Sequence, residues 1–151
     1  MRKFFTVLLL TLSAAAYIHA QERLTVSGAV PDGISSENAV TTLTSNLKQA
    51  LVLNDAAADN SRFVLQTKIA ELSKDVTSTA PPMFVTELEI SLFITDTASG
   101  DILSQTSFTV KGIDDNEQAS YMDAVKKVKA RDPKLRALIN QAKEYFDEHI
   151  Y

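Results

Sequence analysis

The chain has two histidines and no cysteine, and His19 lies in the amino-terminal apolar segment, so a catalytic histidine would have to be His149. That residue is third from the end, and no glycine-x-serine-x-glycine motif accompanies it, so it reads as a surface histidine. A zinc site fails for lack of nitrogen and sulfur ligands. Asp114, Asp115, Asn116 and Glu117 are close enough to suggest calcium. A calcium loop, however, wants glycine at its sixth place and glutamate at its twelfth, which here are Ala119 and Val125. Helix capping accounts for the cluster better: Asp115 with Gln118 three residues later resembles a capping box, and acidic side chains favour a helix amino terminus. Glu87 and Glu89 share one face of a strand, about 7 Å apart by the strand rise, a spacing compatible with paired-carboxylate glycoside chemistry. Their face is expected to be solvated, with no cleft or aromatic platform, so they read as surface charge. The expectation is a protein without catalytic residues, metal or cofactor.

Two groupings fit contact better than catalysis. The run "KKVKARDPKLR" places Lys126, Lys127, Lys129 and Arg131 together, with Lys134 and Arg136 following. It offers an anionic contact but no aromatic side chains for base stacking, so nucleic acid is not the expected partner. The stretch "TSTAPPMF" sets Pro81 and Pro82 between two strand patterns. Prolines cannot donate ladder hydrogen bonds, so they end one strand and aim the next. The plain reading is a stiff connection. The functional alternative is that Pro81, Pro82, Met83 and Phe84 present a partner contact at the end of the sheet, since apolar residues held by proline lose little entropy on binding.

The elements that must carry these groups follow from periodicity. "RLTVSGAV" (23–30) alternates as a short strand, with Leu24, Val26 and Gly28 on one side. Ser35 or Ser36 can cap a helix whose apolar face is Val40, Leu43, Leu47, Ala50 and Leu51. Phe63, Leu65, Thr67 and Ile69 form one side of the next strand, after which the apolar phase shifts to Leu72 and Val76, predicting a bulge near Ala70 and Glu71. "FVTELEISLFIT" alternates from Phe84 through Ile94. "DTASGD" (96–101) is a hairpin turn by composition, and the return strand puts Phe108 and Val110 inward. A helix over about 117–128 uses Tyr121, Met122, Val125 and Val128. A second, capped by Asp132 and opened by Pro133, uses Leu135, Leu138, Ile139, Ala142, Phe146 and Ile150. The predicted architecture is α/β (α+β): a two-layer sandwich with a four-stranded mixed sheet, in the order strand, helix, three-strand meander, helix, and with the helices on one face. Open edges on such a sheet are a further candidate for partner pairing.

The first twenty residues, "MRKFFTVLLLTLSAAAYIHA", have a basic start, an apolar run and a small residue, Ala20, before polar sequence, which is the layout of a secretory signal peptide with cleavage after Ala20. Cutting those twenty from 151 leaves 131 residues, enough for one domain over 21–151. It also removes Arg2 and Lys3, so the mature net charge moves from −4 to −6, which argues against generic binding to nucleic acid or anionic lipid. With no cysteine, lipid attachment at a cleavage site is closed, as are disulfides. The expected location is periplasmic or secreted, and the cleaved chain should not span a membrane.

"SRFVL", "LSKDVTSTAPPM", "SFTVKGIDDNEQA" and "DAVKKVK" resemble the amino-terminal domain of a family of exported, functionally uncharacterised proteins of Bacteroidetes, over nearly the whole mature chain. Members of that family are often longer, with a second region after this domain. More distantly, a helix followed by "RFVL", then "TDTASGDIL" and a return strand, resembles the envelope domains of penicillin-binding-protein activator lipoproteins, curli-secretion lipoproteins and the Tol propeller protein's amino-terminal domain. In those groups an aspartate and a glycine mark the hairpin, here Asp96 and Gly100. The resemblance implies a non-catalytic interaction module whose partner is an envelope protein or a cell-wall component. A small glycan- or cell-wall-binding protein is the alternative, and a small hydrolase ranks below both because acid, base and nucleophile groups do not converge.

Overall fold

The computed structural model of the protein describes residues 23–34 and 36–150. The residues through Ala20 and its cleavage point lie outside the described residues, as does Ser35. Seven elements follow in order: β1 (Val26–Gly28), α1 (Glu37–Leu53), β2 (Phe63–Val76), β3 (Phe84–Asp96), β4 (Ile102–Asp114), α2 (Glu117–Val125) and α3 (Pro133–His149). The sheet order is β1-β2-β3-β4, with β1 parallel to β2 and the other neighbours antiparallel. This is the mixed four-stranded sheet and α+β sandwich expected from the periodicity.

Period-two alternation makes β3 the spine of the fold. Thr86, Leu88, Ile90, Leu92 and Ile94 are all buried, while the residues between them are only partly covered. The helices bring Leu43, Leu47 and Leu51 from α1, Tyr121, Ala124 and Val125 from α2, and Leu135, Leu138, Ile139 and Phe146 from α3 onto that side. Phe63 and Phe146 meet edge to face, ring centres 5.5 Å apart. Polar bonds fix the register of helix on sheet: Ser104 Oγ donates to the Leu138 carbonyl (2.8 Å), and the Thr86 and Ser120 hydroxyls lie 2.7 Å apart in the core. Gly112 is the point of closest approach. A Cβ there would stand 1.8 Å from the Ser120 carbonyl oxygen and 2.4 Å from the Ala124 nitrogen, so only glycine lets α2 lie this close to β4.

Several expectations are corrected. The first strand is three residues, not eight: its ladder with β2 runs from Val26 to Gly28, and on its other side Val26 is bonded to the loop, its N–H donating to Ala56 O and its carbonyl accepting from Ala58 N; Gly28 is exposed rather than inward. Of the two serines offered as cap of α1, Ser36 takes that place as expected, accepting from Ala39 N. The bulge in β2 falls between Glu71 and Ser73, so Leu72 is the extra residue, and both Leu72 (49% exposed) and Val76 (58%) face solvent instead of resuming the core. Asn116 rather than Asp115 caps α2, accepting from Ala119 N at 2.8 Å, which puts Ala119 where the box would need Gln118. The helix also stops at Val125, although Val128 remains buried.

Candidate functional site

The proline loop closes the far end of the β2–β3 hairpin. Thr77 is its hub: its N–H donates to the Met83 carbonyl (2.8 Å), and its hydroxyl accepts from Met83 N (2.8 Å) and lies 2.6 Å from the Thr79 hydroxyl. Thr79 in turn donates to the Pro81 carbonyl (3.0 Å). A short loop with this many internal bonds holds its shape without help from a partner. Pro81 and Pro82 are exposed, whereas Met83 and Phe84 are half-buried. The two pairs Val76–Phe84 and Asp75–Val85 extend the hairpin past Thr86, the rung that Ser120 covers. Both faces of this arm carry apolar side chains. Val76 and Phe84 lie on the helix side, while Val85 and its β4 neighbour Ile113 (50% exposed) lie on the open side. Ile113, Val76 and Leu72 are contact candidates that alternation alone does not reveal, because an exposed apolar residue in a strand pattern is counted toward a core.

The basic run does not stay together. Lys127 donates to the Lys111 carbonyl and lies 4.0 Å from Asp123. Lys134 donates to the Ser107 carbonyl (3.0 Å) and covers the Phe108 ring at 5.1 Å. The Ile113 N–H is taken by Asp123 Oδ2 (3.0 Å). Alternate residues of an antiparallel edge strand turn both backbone groups outward, and on β4 these three side chains occupy that outward row. Charged side chains on an edge oppose addition of a further strand. At the opposite side of the sheet, the bulge at Leu72 breaks the regular spacing of the part of β2 that lies beyond β1. Strand addition at an edge, one of the two routes expected for partner pairing, is therefore obstructed on both sides. Lys126 and Lys129 are exposed without a carboxylate partner among the described residues, and Arg131 instead joins Arg136 beside the end of α1.

The hairpin at the other end of β3 is built on one ion pair. Asp96, 2% exposed, accepts from Arg62 Nε (2.7 Å) and Nη2 (2.6 Å), from Ala98 N (3.0 Å) and from Ser99 Oγ (3.0 Å). The Arg62 guanidinium, first of all, holds the Asp96 carboxyl far below the usual carboxylate range, against the opposing effect of burial. Arg62 rises correspondingly through the same bond. Gly100, at φ +79°, supplies the left-handed turn whose N–H reaches the Asp96 carbonyl (2.8 Å). Asp96 and Gly100 thus organise a turn, and every oxygen of the carboxylate is engaged in doing so.

The other acid and base groups do not converge. His149 is exposed and stacked on Tyr145, ring centres 4.3 Å apart. Glu87 lies 3.9 Å from Lys111, while Glu89 borders a shallow depression with Phe93 and Gln105 from which Glu87 is absent. Burial, and secondarily the Glu71 carboxylate, raises the Tyr121 phenol above its ordinary value, so it stays protonated. Among the described residues no group of three or more histidine, aspartate or glutamate side chains is placed to hold a metal ion, and no helix is long and apolar enough to cross a membrane.

No protein-family model and no curated protein matches this chain. Among solved structures it is similar to a minor lipoprotein from Acinetobacter baumannii, with a TM-score of 0.52 and 13% identity, covering 81% of this chain and 95% of that one. It is also similar to a protein from Xanthomonas campestris in the family DUF330, with a TM-score of 0.52 and 11% identity, covering 85% and 88%. At these identities the likeness is one of fold, over most of each chain.

Proposed function

We propose that the protein is a non-catalytic, exported interaction module of the bacterial envelope, and that it holds a protein partner through the arm formed by Val76, Pro81, Pro82, Met83, Phe84 and Ile113. The observation that carries this reading is the exposure of apolar side chains on both faces of the arm, beyond the helices, on a loop already ordered by Thr77. A pre-formed apolar surface binds with a smaller ordering cost than a mobile one. The amino-terminal layout supports export, and the fold shared with a minor lipoprotein is consistent with an envelope setting.

Photo-crosslinking in native envelopes tests the contact. Met83→Ser with Phe84→Ser is expected to weaken partner capture several-fold, with His149→Ala capturing normally. Loss of a measurable activity in His149→Ala, with normal capture by the loop variant, would replace this reading with an enzymatic one. Intact mass of the native protein tests export: the expected chain begins at Gln21 without lipid, and a chain that still begins at Met1 would refute cleavage.

A further inference from the structure

A cleft of about 310 Å³ lies between the end of α1 and the start of α3, lined by Leu53, Asn54, Ala130, Arg131, Asp132 and Arg136. We propose that it is a binding site for the free carboxylate end of a peptide, with the two guanidiniums taking the carboxylate and Leu53 and Ala130 receiving the terminal side chain.

The guanidiniums have no structural duty that would explain them. Neither the Arg131 nor the Arg136 guanidinium makes a hydrogen bond or ion pair among the described residues. Arginine beside the carboxy terminus of a helix ordinarily serves its unpaired carbonyls. Here that need is largely met by others: Asn54 N and Nδ2 both donate to Ala50 O, Ala56 N to Leu51 O, Asp55 N to Val52 O, and Lys143 Nζ to Asn54 O at 2.5 Å. Asp132 is likewise engaged, its Oδ1 accepting the Lys134 N–H (2.8 Å) as the cap of α3.

The charge of the lining selects the ligand. Two guanidiniums and one carboxylate leave one positive unit, which a monoanion neutralises and a phosphate dianion would exceed. The chain is acidic overall, at −4 over its full length, so polyanions are repelled at longer range. A planar carboxylate matches the fork of arginine donors, and such pairs are stronger than neutral hydrogen bonds. The volume is at the lower end for small-ligand sites, which suits one or two residues rather than an extended segment. Leu53, exposed in a position where its helix turns no face to the core, gives the side chain an apolar wall. Capture of a peptide terminus in this way is chemically separate from the apolar arm.

The test is titration of the protein, followed by backbone NMR shifts, with three probes: N-acetyl-alanyl-alanine, its carboxamide, and inorganic phosphate. The free acid is expected to shift residues 53, 54 and 130–136, with the amide binding at least tenfold more weakly and phosphate more weakly than the acid. Arg131→Gln with Arg136→Gln should weaken the acid at least tenfold. The corresponding double lysine variant should fall between, since it keeps charge but loses the fork, and Lys126→Gln should match the parent. Binding of acid and amide alike, tighter binding of phosphate, or unchanged binding in the double glutamine variant would each overturn the proposal. Because Met83→Ser with Phe84→Ser leaves this cleft untouched, peptide binding should survive in that variant whatever becomes of partner capture.

Discussion

Replacing Gly112 with alanine sets two effects of opposite sign against each other. In a strand position that alanine can adopt, the substitution narrows the unfolded ensemble and stabilises by about 0.4–1 kcal/mol. At Gly112 the new methyl would lie 1.8 Å from a backbone oxygen of α2, where ordinary contact begins at 3.4 Å, so the helix would have to retreat by roughly 1.6 Å. Overpacking of this kind costs about 1–3 kcal/mol. The same retreat separates the Thr86 and Ser120 hydroxyls, 2.7 Å apart and buried, for about 1–3 kcal/mol more. The clash wins, and the net expectation is a loss of about 1–5.5 kcal/mol. For a small domain whose stability changes by about 1–3 kcal/mol per molar urea, the unfolding midpoint should fall by about 0.3 M or more with little change in slope. Gly28→Ala is the matched comparison, because nothing lies within 4 Å of its added carbon; its midpoint should stay at or slightly above the parent value. A Gly112→Ala midpoint equal to the parent's, or an equal loss in Gly28→Ala, would refute the account of how α2 is seated.

Ile90 is fully buried at mid-strand, so Ile90→Ala should cost about 2–5 kcal/mol in urea unfolding, while Glu89→Ala beside it, on the open face, should cost under about 0.5. Because the Asp96 carboxyl is lowered in the folded state, its contribution to stability is complete above the ordinary carboxylate value near ~3.9 and is lost as pH falls below it toward the folded value. Asp96→Asn should therefore flatten the acid limb of the stability profile, and an unchanged limb would mean that another carboxylate governs it. Lys127→Ala with Lys134→Ala removes two of the side chains on the β4 edge, so the variant should self-associate with rising concentration in analytical ultracentrifugation where the parent does not.

What the sequence discloses of this fold is what lies in local period. The alternation from Phe84 to Ile94 identifies β3 because every second residue meets the same core, and Asp132 with Pro133 marks α3 because both act within one turn. Contacts that depend on register stay hidden. Arg62 and Asp96 are 34 residues apart and meet only because β2 and β3 are aligned as they are. Leu72 and Val76 look like core in a phase-shifted strand, and only the position of the bulge relative to the helices leaves them in solvent. The lysine run is visible as charge, yet its division into edge-bound Lys127 and Lys134 and cleft-lining Arg131 requires knowing that β4 is an edge strand and that α1 ends nearby.

The ammonium groups of Lys127 and Lys134 on the β4 carbonyls also bear on reagent choice. Succinimidyl esters and other acylating crosslinkers consume primary amines, so treatment of intact cells would neutralise both contacts while scoring neighbours. The bared carbonyls of Ser107 and Lys111 would then accept strands from unfolded or overcrowded chains, and the adducts recovered would report the modification rather than the physiology. Diazirine chemistry placed on the arm leaves those amines intact.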